Sequence, residues 1–238
     1  MKRILIQGAV PSEICFYLEQ ACFSDVPVVS KNECSFYLSH CGGLEIILQL
    51  TRMGMVNAAM ATTAAIYEFH PDCIVNQGTA GAQVMELTSG DIVIGRRAVN
   101  VHSLEMKKRG FGEGMAVEDW AGMATEYVEA DPELVRVFQN GIGTETKTGK
   151  VITGTLGSGD LFSKEKDRIL WLHDKFGNDS EDMESFAVYS VCRDCGVPCV
   201  AVRVISNNEL LDEDYDPRTS LELQRVIWKT VLDYGEKK

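Results

Sequence analysis

Short apolar runs bounded by turn residues alternate along this chain with longer amphipathic stretches, as expected of buried strands separated by helices. Residues 3–8, centred on Ile4-Leu5-Ile6, read as a strand closed by Gly8. Pro11 to Cys22 reads as a helix with proline in its first turn. Residues 34–40 and 44–50 read as paired strands joined at Gly42-Gly43, and the Ala- and Met-rich residues 55–69 as a helix. Cys73-Ile74-Val75-Asn76 has the form of a short buried strand, and further strands are expected near 91–95 and 97–102. Residues 104–126 are Gly-rich and weakly periodic, which predicts a long loop or mobile insert. Then follow a helix at 131–140, a strand at 148–156, helices near 163–175 and from about 183, a strand at 199–205 and a last helix from about 218. No repeat or linker interrupts the alternation. It predicts an α/β fold: a single three-layer α/β/α domain over residues 1–238, its central, largely mixed sheet flanked by helices.

Composition narrows the function classes. The 238 residues suit one large α/β domain, and 45% hydrophobic with 24% charged residues is ordinary for a soluble globular protein. No apolar run is long enough to cross a bilayer, so no membrane association is expected. Met1 to Gly8 reads as a first strand rather than a signal peptide, which predicts a cytoplasmic protein. A net charge of −12 without a basic block argues against nucleic-acid binding. Most of the eight cysteines, including Cys15, Cys22, Cys73, Cys192 and Cys199, lie in apolar or helix-like surroundings, and free buried thiols are expected. Cys192, Cys195 and Cys199 have no histidine nearby and no second ligand pair, so neither a metal nor a cofactor is expected.

Five stretches could carry chemistry, and each has a plain structural reading beside the functional one. Glu181-Asp182-Met183-Glu184-Ser185-Phe186-Ala187 follows the polar run 177–180 and opens an apolar segment. It reads as a helix start with carboxylates at the positive end of the helix dipole. Gly8-Ala9-Val10-Pro11-Ser12-Glu13 joins a strand to a helix at a carboxyl edge, where ligands of open α/β sheets gather; Glu13 could equally be a first-turn acid. Asn76-Gln77-Gly78-Thr79-Ala80-Gly81 reads as a small-residue turn that admits a ligand to the backbone, or as an ordinary tight turn. It is neither a Walker A loop nor a full dinucleotide fingerprint. Thr153 to Phe162 is a strand and flexible loop whose Phe162 could stack on a flat ring or pack in the core. Val200 to Ile205 ends in Ser206-Asn207-Asn208, and Arg203 within that apolar strand needs a partner, for which Asp160 and Glu184 are the candidates.

In their order and spacing these stretches resemble the 5′-methylthioadenosine/S-adenosylhomocysteine nucleosidases of the nucleoside phosphorylase superfamily, from about residue 3 to residue 230. The resemblance implies roles residue by residue. Glu13 matches the acid that activates the attacking water, and Glu184 the carboxylate holding the ribose 2′- and 3′-hydroxyls. Met183 matches a residue packed on the nucleoside, and Phe162 the ring stacked on the base. The backbone of Ser163 matches the groups that read the base edge. Thr79, Ala80 and Gly81 match the turn lining ribose and base, and Ala9, Met53 and Arg203 fall among the substrate-binding positions. Ser206 and Asn207 match a Ser-Asp pair whose Asp protonates or hydrogen-bonds purine N7; here that Asp is Asn. The 104–126 segment matches one that covers a neighbouring subunit's pocket. This implies a homodimer with Phe111 as the reaching residue, although Lys107, Lys108 and Arg109 beside it are unusual.

The implied reaction is hydrolysis of a purine nucleoside's N-glycosidic bond. Positive charge develops on the ribose and negative charge on the leaving base, so a carboxylate at one and a donor at the other lower the barrier. Two alternatives stand beside it. A phosphorylase of this superfamily would carry an Arg two residues before the Gly-rich stretch, where this chain has Asn76. A nucleoside-binding protein with little turnover is the other, because Asn207 can donate a hydrogen bond but not a proton. The same Asn hints at a 6-oxopurine base, since its amide nitrogen can face N7 and O6 together.

Overall fold

A computed structural model describes residues 1–31, 34–114, 120–122, 125–143, 146–147 and 149–236. Twelve strands and six α-helices are described: β1 (Arg3–Gly8), α1 (Cys15–Leu18), β2 (Val29–Lys31), β3 (Cys34–Cys41), β4 (Leu44–Leu50), α2 (Met55–Phe69), β5 (Cys73–Ala82), β6 (Ile92–Asn100), β7 (Leu104–Met106), β8 (Trp120–Gly122), β9 (Tyr127–Glu129), α3 (Pro132–Ile142), β10 (Val151–Ser158), α4 (Lys166–Phe176), β11 (Ser180–Asp182), α5 (Ser185–Cys195), β12 (Cys199–Asn207) and α6 (Thr219–Glu236).

Ten of the strands form one mixed sheet in the order β11-β10-β6-β12-β5-β1-β4-β3-β2, with β9 on β6. β4, β1, β5 and β12 run parallel, while β6 runs antiparallel to β12. β11 also pairs antiparallel with the end of β5, Glu181 opposite Gly81, so five strands close on themselves. Side chains alternate across the strands. Leu5, Ile47, Ile74 and Ala201 pack with Ala58, Ala61 and Ala65 of α2 and Val188, Tyr189 and Cys192 of α5. Ile4, Ile6, Ile46, Leu48, Val200 and Val202 face the other way, onto Leu134 and Phe138 of α3 and Leu223, Ile227 and Trp228 of α6. This period of two on strands buried on both faces is why the runs read as continuous apolar segments. Among the described residues no helix is long and apolar enough to cross a membrane.

Four expectations need correction. Pro11 to Cys22 is not one helix: it breaks into a 3-10 turn (Pro11–Glu13), the single turn α1 and a second 3-10 turn (Ala21–Phe23). The cause is local, because Ile14 leaves the helical region at φ −126° while Glu13 folds back onto the backbone before it. The Gly-rich stretch after Asn76 is not a turn but the second half of β5, paired with β12 as far as Gly81. Residues 91–95 and 97–102 form the single strand β6, with Arg96 bulged where Gly154 and Thr155 oppose Gly95 and Arg97. The helix expected from about 183 starts at Ser185, and the Glu181-Asp182 part of the expected helix start instead extends as β11 (Ser180–Asp182).

Two further differences concern the insert and the cysteines. Part of the 104–126 insert is ordered as the β7–β8 pair; residues 115–119 and 123–124 of it lie outside the described residues. Cys22 is not a free thiol but is bonded to Cys41, while Cys15 and Cys195 are exposed. Among the described residues no cluster of His, Cys, Asp or Glu could hold a metal ion.

Candidate active site

A cavity of about 340 Å³ opens where β1, β5, β11 and β12 end and the loop after β10 folds over them. Glu13 lies at its floor, almost fully buried. One carboxylate oxygen accepts from the backbone N–H of Ala9 (2.7 Å) and Val10 (3.4 Å), and the other from the N–H of Thr79 (2.9 Å). The carboxylate is thereby fixed to two strand ends at once. Gly78 makes room for it, since a Cβ there would lie 2.7 Å from Glu13 Oε1. A side chain at 78 would fill the place of the acid, so this position of β5 is glycine.

Glu184 stands across the cavity at the foot of α5. Its Oε1 accepts from the Gly54 N–H (3.1 Å), at the N-terminus of α2, and Asp160 accepts from the next amide, Met55 (2.8 Å). Two carboxylates thus meet the positive end of a 15-residue helix. Burial is the main influence raising the Glu184 carboxyl, to about 8; Asp182 and Glu13 add to it, and Arg203 opposes it.

Arg203 does not line the cavity. It is fully buried beneath it, donating through Nε to Asp182 (2.9 Å) and through Nη2 to Asn76 Oδ1 (2.5 Å). Of the two partners expected for it, Glu184 does form an ion pair with it, at 3.8 Å and more distant than Asp182, while Asp160 serves α2 instead. Asp182 also accepts from Ser158 Oγ (2.6 Å) and from the amides of Glu184 and Ser185 (3.0 Å each). This network fixes the Glu184 backbone. Removing one member of such a buried pair costs about 3–5 kcal/mol, because the other charge is left unpaired. Asn76 is therefore occupied in holding Arg203 and is not directed at a ligand.

The cavity also has an apolar, aromatic wall. Phe162, half exposed, meets the edge of Tyr215 with ring centroids 6.4 Å apart, and Met53 and Met183 complete the apolar wall. Asn207 sits level with Gly81, whose missing Cβ would lie 3.6 Å from its amide nitrogen. Asn207 Nδ2 donates to Glu209 Oε1 (3.3 Å), and its Oδ1 accepts from Ser206 Oγ (3.0 Å). Glu209 can only accept, so the amide nitrogen must face it, and one of its two N–H groups remains for a ligand. Ser163 is buried, with its hydroxyl on Glu181 (3.0 Å).

Among the sequence-derived positions, the cavity brings together Glu13, Glu184, Asn207, Ala9, Met53, Thr79, Ala80, Gly81, Phe162, Ser163, Met183 and Ser206. Arg203 lies behind it, and Phe111 is wholly exposed and outside its own chain's cavity. Sequence reasoning missed Asp182, Glu181, Gln83, Glu209 and Tyr215 as lining residues. Asp182 could have been found, since a buried Arg203 requires a carboxylate and Asp182 belongs to the same Asp-Met-Glu run. The others carry no local signal. Among the described residues lining the cavity there are five carboxylates, Glu13, Glu181, Asp182, Glu184 and Glu209, and no Lys, Arg or His.

A buried carboxylate held by backbone amides, a second at a helix N-terminus and an aromatic shelf beside an amide side chain together define a nucleoside-type site on an α/β sheet. The chain belongs to the phosphorylase superfamily, whose model matches residues 3–227. Within it, the chain is 30% identical over 206 residues to a 5′-methylthioadenosine/S-adenosylhomocysteine nucleosidase of Geobacillus sp. (strain WCH70), covering 86% of this chain and 85% of that one. The Neisseria meningitidis enzyme of the same name, solved with methylthio-immucillin-A, superposes with a TM-score of 0.81 at 25% identity, over 98% of this chain and 100% of that chain. A futalosine hydrolase mutant of Helicobacter pylori shares the fold, with a TM-score of 0.82 at 23% identity, over 98% of this chain and 100% of that chain.

Proposed function

We propose that this protein is a purine nucleosidase, hydrolysing the N-glycosidic bond of a purine nucleoside that bears a 5′-substituent or none. The observation that carries the proposal is the cavity's lining: a fixed Glu13 and four other carboxyl groups, with no cation among the described lining residues. A phosphate nucleophile needs cationic donors around it. Water needs only an acceptor to orient it and take its proton. Asn76, engaged with Arg203, likewise supports water over phosphate.

In this reading Glu13 activates water at C1′, and Glu184 accepts from the ribose 2′- and 3′-hydroxyls and faces the developing positive charge. Phe162 stacks on the base, and Asn207 donates to N7 as negative charge develops there. The anchoring of Asn207 by Ser206 and Glu209 supports a 6-oxopurine, because the free N–H points the amide towards acceptors. By name, the relatives act on 5′-methylthioadenosine and S-adenosylhomocysteine. Product analysis in phosphate-free buffer tests the class: free base and a reducing sugar are expected, and a requirement for phosphate would overturn it.

A homodimer belongs to the same proposal. Met53 at the cavity mouth and Val56, Met60 and Tyr67 on α2 are exposed, and Phe111 is fully so, which supports an apolar surface meeting a second copy beside the pocket. A cytoplasmic enzyme built as one domain over residues 1–238 completes it. Six free cysteines are in keeping with a reducing compartment, whereas the Cys22–Cys41 bridge is not.

A further inference from the structure

The nucleosidase reading leaves one part of the cavity without a role. Glu181, on β11, lines it and is nearly buried. Its two oxygens accept from Ser163 Oγ and Gln83 Nε2, each at 3.0 Å, and each oxygen keeps a lone pair. Gln83 also lines the cavity and is 2% exposed, yet its Oε1 has no hydrogen-bond partner among the described residues. A buried carbonyl oxygen without a donor is costly, and such atoms in native proteins call for an explanation.

Strand register places this pair. Glu181 on β11 and Asn207 on β12 both stand opposite Gly81 of β5, one on either side of it. Two strand spacings separate them by roughly 10 Å. A base lying over Gly81 would have Asn207 on one side and Glu181 on the other. With N7 towards Asn207, the edge turned to Glu181 and Gln83 is the ring's N1 and C2 side.

Resting on the purine-nucleosidase reading, we propose that Glu181 and Gln83 select a 2-amino-6-oxopurine, a guanine-type base. The two side chains present two adjacent acceptors. The guanine edge offers two adjacent donors, N1–H and the 2-amino group. Hypoxanthine offers one donor there. Adenine offers an acceptor at N1, which would face the carboxylate. Ser163 and the Gln83 amide nitrogen hold the carboxylate in one position through its two oxygens.

The test compares free guanine, hypoxanthine and adenine as ligands of the whole protein by calorimetry, together with release of base from guanosine, inosine and adenosine. At pH 8, where the Glu181 carboxyl, raised by burial to about 7, is mostly ionised, guanine is expected to bind at least about tenfold more tightly than hypoxanthine, the worth of a hydrogen bond to a charged group. In Glu181→Gln that preference should disappear, with hypoxanthine affinity falling less. The unmodified protein's own preference needs no variant to be read. Guanine binding no tighter than hypoxanthine, or all three bases weakened alike by Glu181→Gln, would overturn the inference. Hydrolysis that ignores the 2-amino group also overturns it while leaving the nucleosidase intact. A guanine preference without release of any base upholds it and removes the hydrolytic reading instead.

Discussion

Glu13 and Glu184 are both buried carboxylates, but their surroundings assign them different tasks. Glu13 is clamped by amides from two strand ends and faces no cation at hydrogen-bonding distance. In the proposed reaction it orients and deprotonates water. Glu13→Gln should lower kcat by a factor on the order of 10²–10⁴ with little change in nucleoside affinity, as measured by single-turnover kinetics and calorimetry. Glu184→Gln should weaken binding as well, most of all above pH 8, where the raised Glu184 carboxyl is ionised and its hydrogen bonds to two hydroxyls are charge-assisted. Small, equal effects would return both residues to structural roles. In the proposed reading Asn207 carries the base preference. Comparing kcat/KM for matched 6-oxo and 6-amino nucleosides, the 6-oxo substrate should lead in the native protein. Asn207→Asp should shift the ratio towards the 6-amino substrate, since a protonated Asp bridges N7 and a 6-amino group. A 6-amino preference in the native protein would end that idea.

At the scale of elements, β5 decides the site. Its glycines are there for close approach: Gly78 admits Glu13, and Gly81 leaves the level between Asn207 and Glu181 open. Gly78→Ala places a Cβ against the Glu13 carboxylate, so activity should fall at least tenfold while the melting temperature shifts by only a few degrees. Full activity in that variant would mean that Glu13 is not held as described. The same strand shows what sequence conveys and what it does not. Apolar runs located the strands buried on both faces, because their composition alone marks them. The end of β5 read as a turn because glycine signals turns locally, whereas here it answers to a side chain from residue 13. β11 was invisible for a related reason: three polar residues extend only because β5 and β10 pair with them on both sides. Glu13, Glu184, Phe162 and Asn207 were legible through ordered motifs. Gln83, Glu209 and Tyr215 belong to no motif and are brought in by the fold.

For the whole molecule, the curled sheet gathers strand ends into one cavity, and α2 links that cavity to the outer surface. Its N-terminus receives Glu184 and Asp160, and its outer face exposes Val56, Met60 and Tyr67. If this face meets a second copy, a Val56→Glu, Met60→Glu double variant should run as a monomer in sedimentation analysis and lose most of its activity, with the fold kept by circular dichroism. An unchanged association state would refute that interface. The central claim is that water, not phosphate, attacks C1′ in a cavity lined by carboxylates. The most direct measurement is turnover of a purine nucleoside in heavy-oxygen water with phosphate present. The account predicts free base and a reducing sugar labelled at C1. An unlabelled ribose 1-phosphate would contradict it.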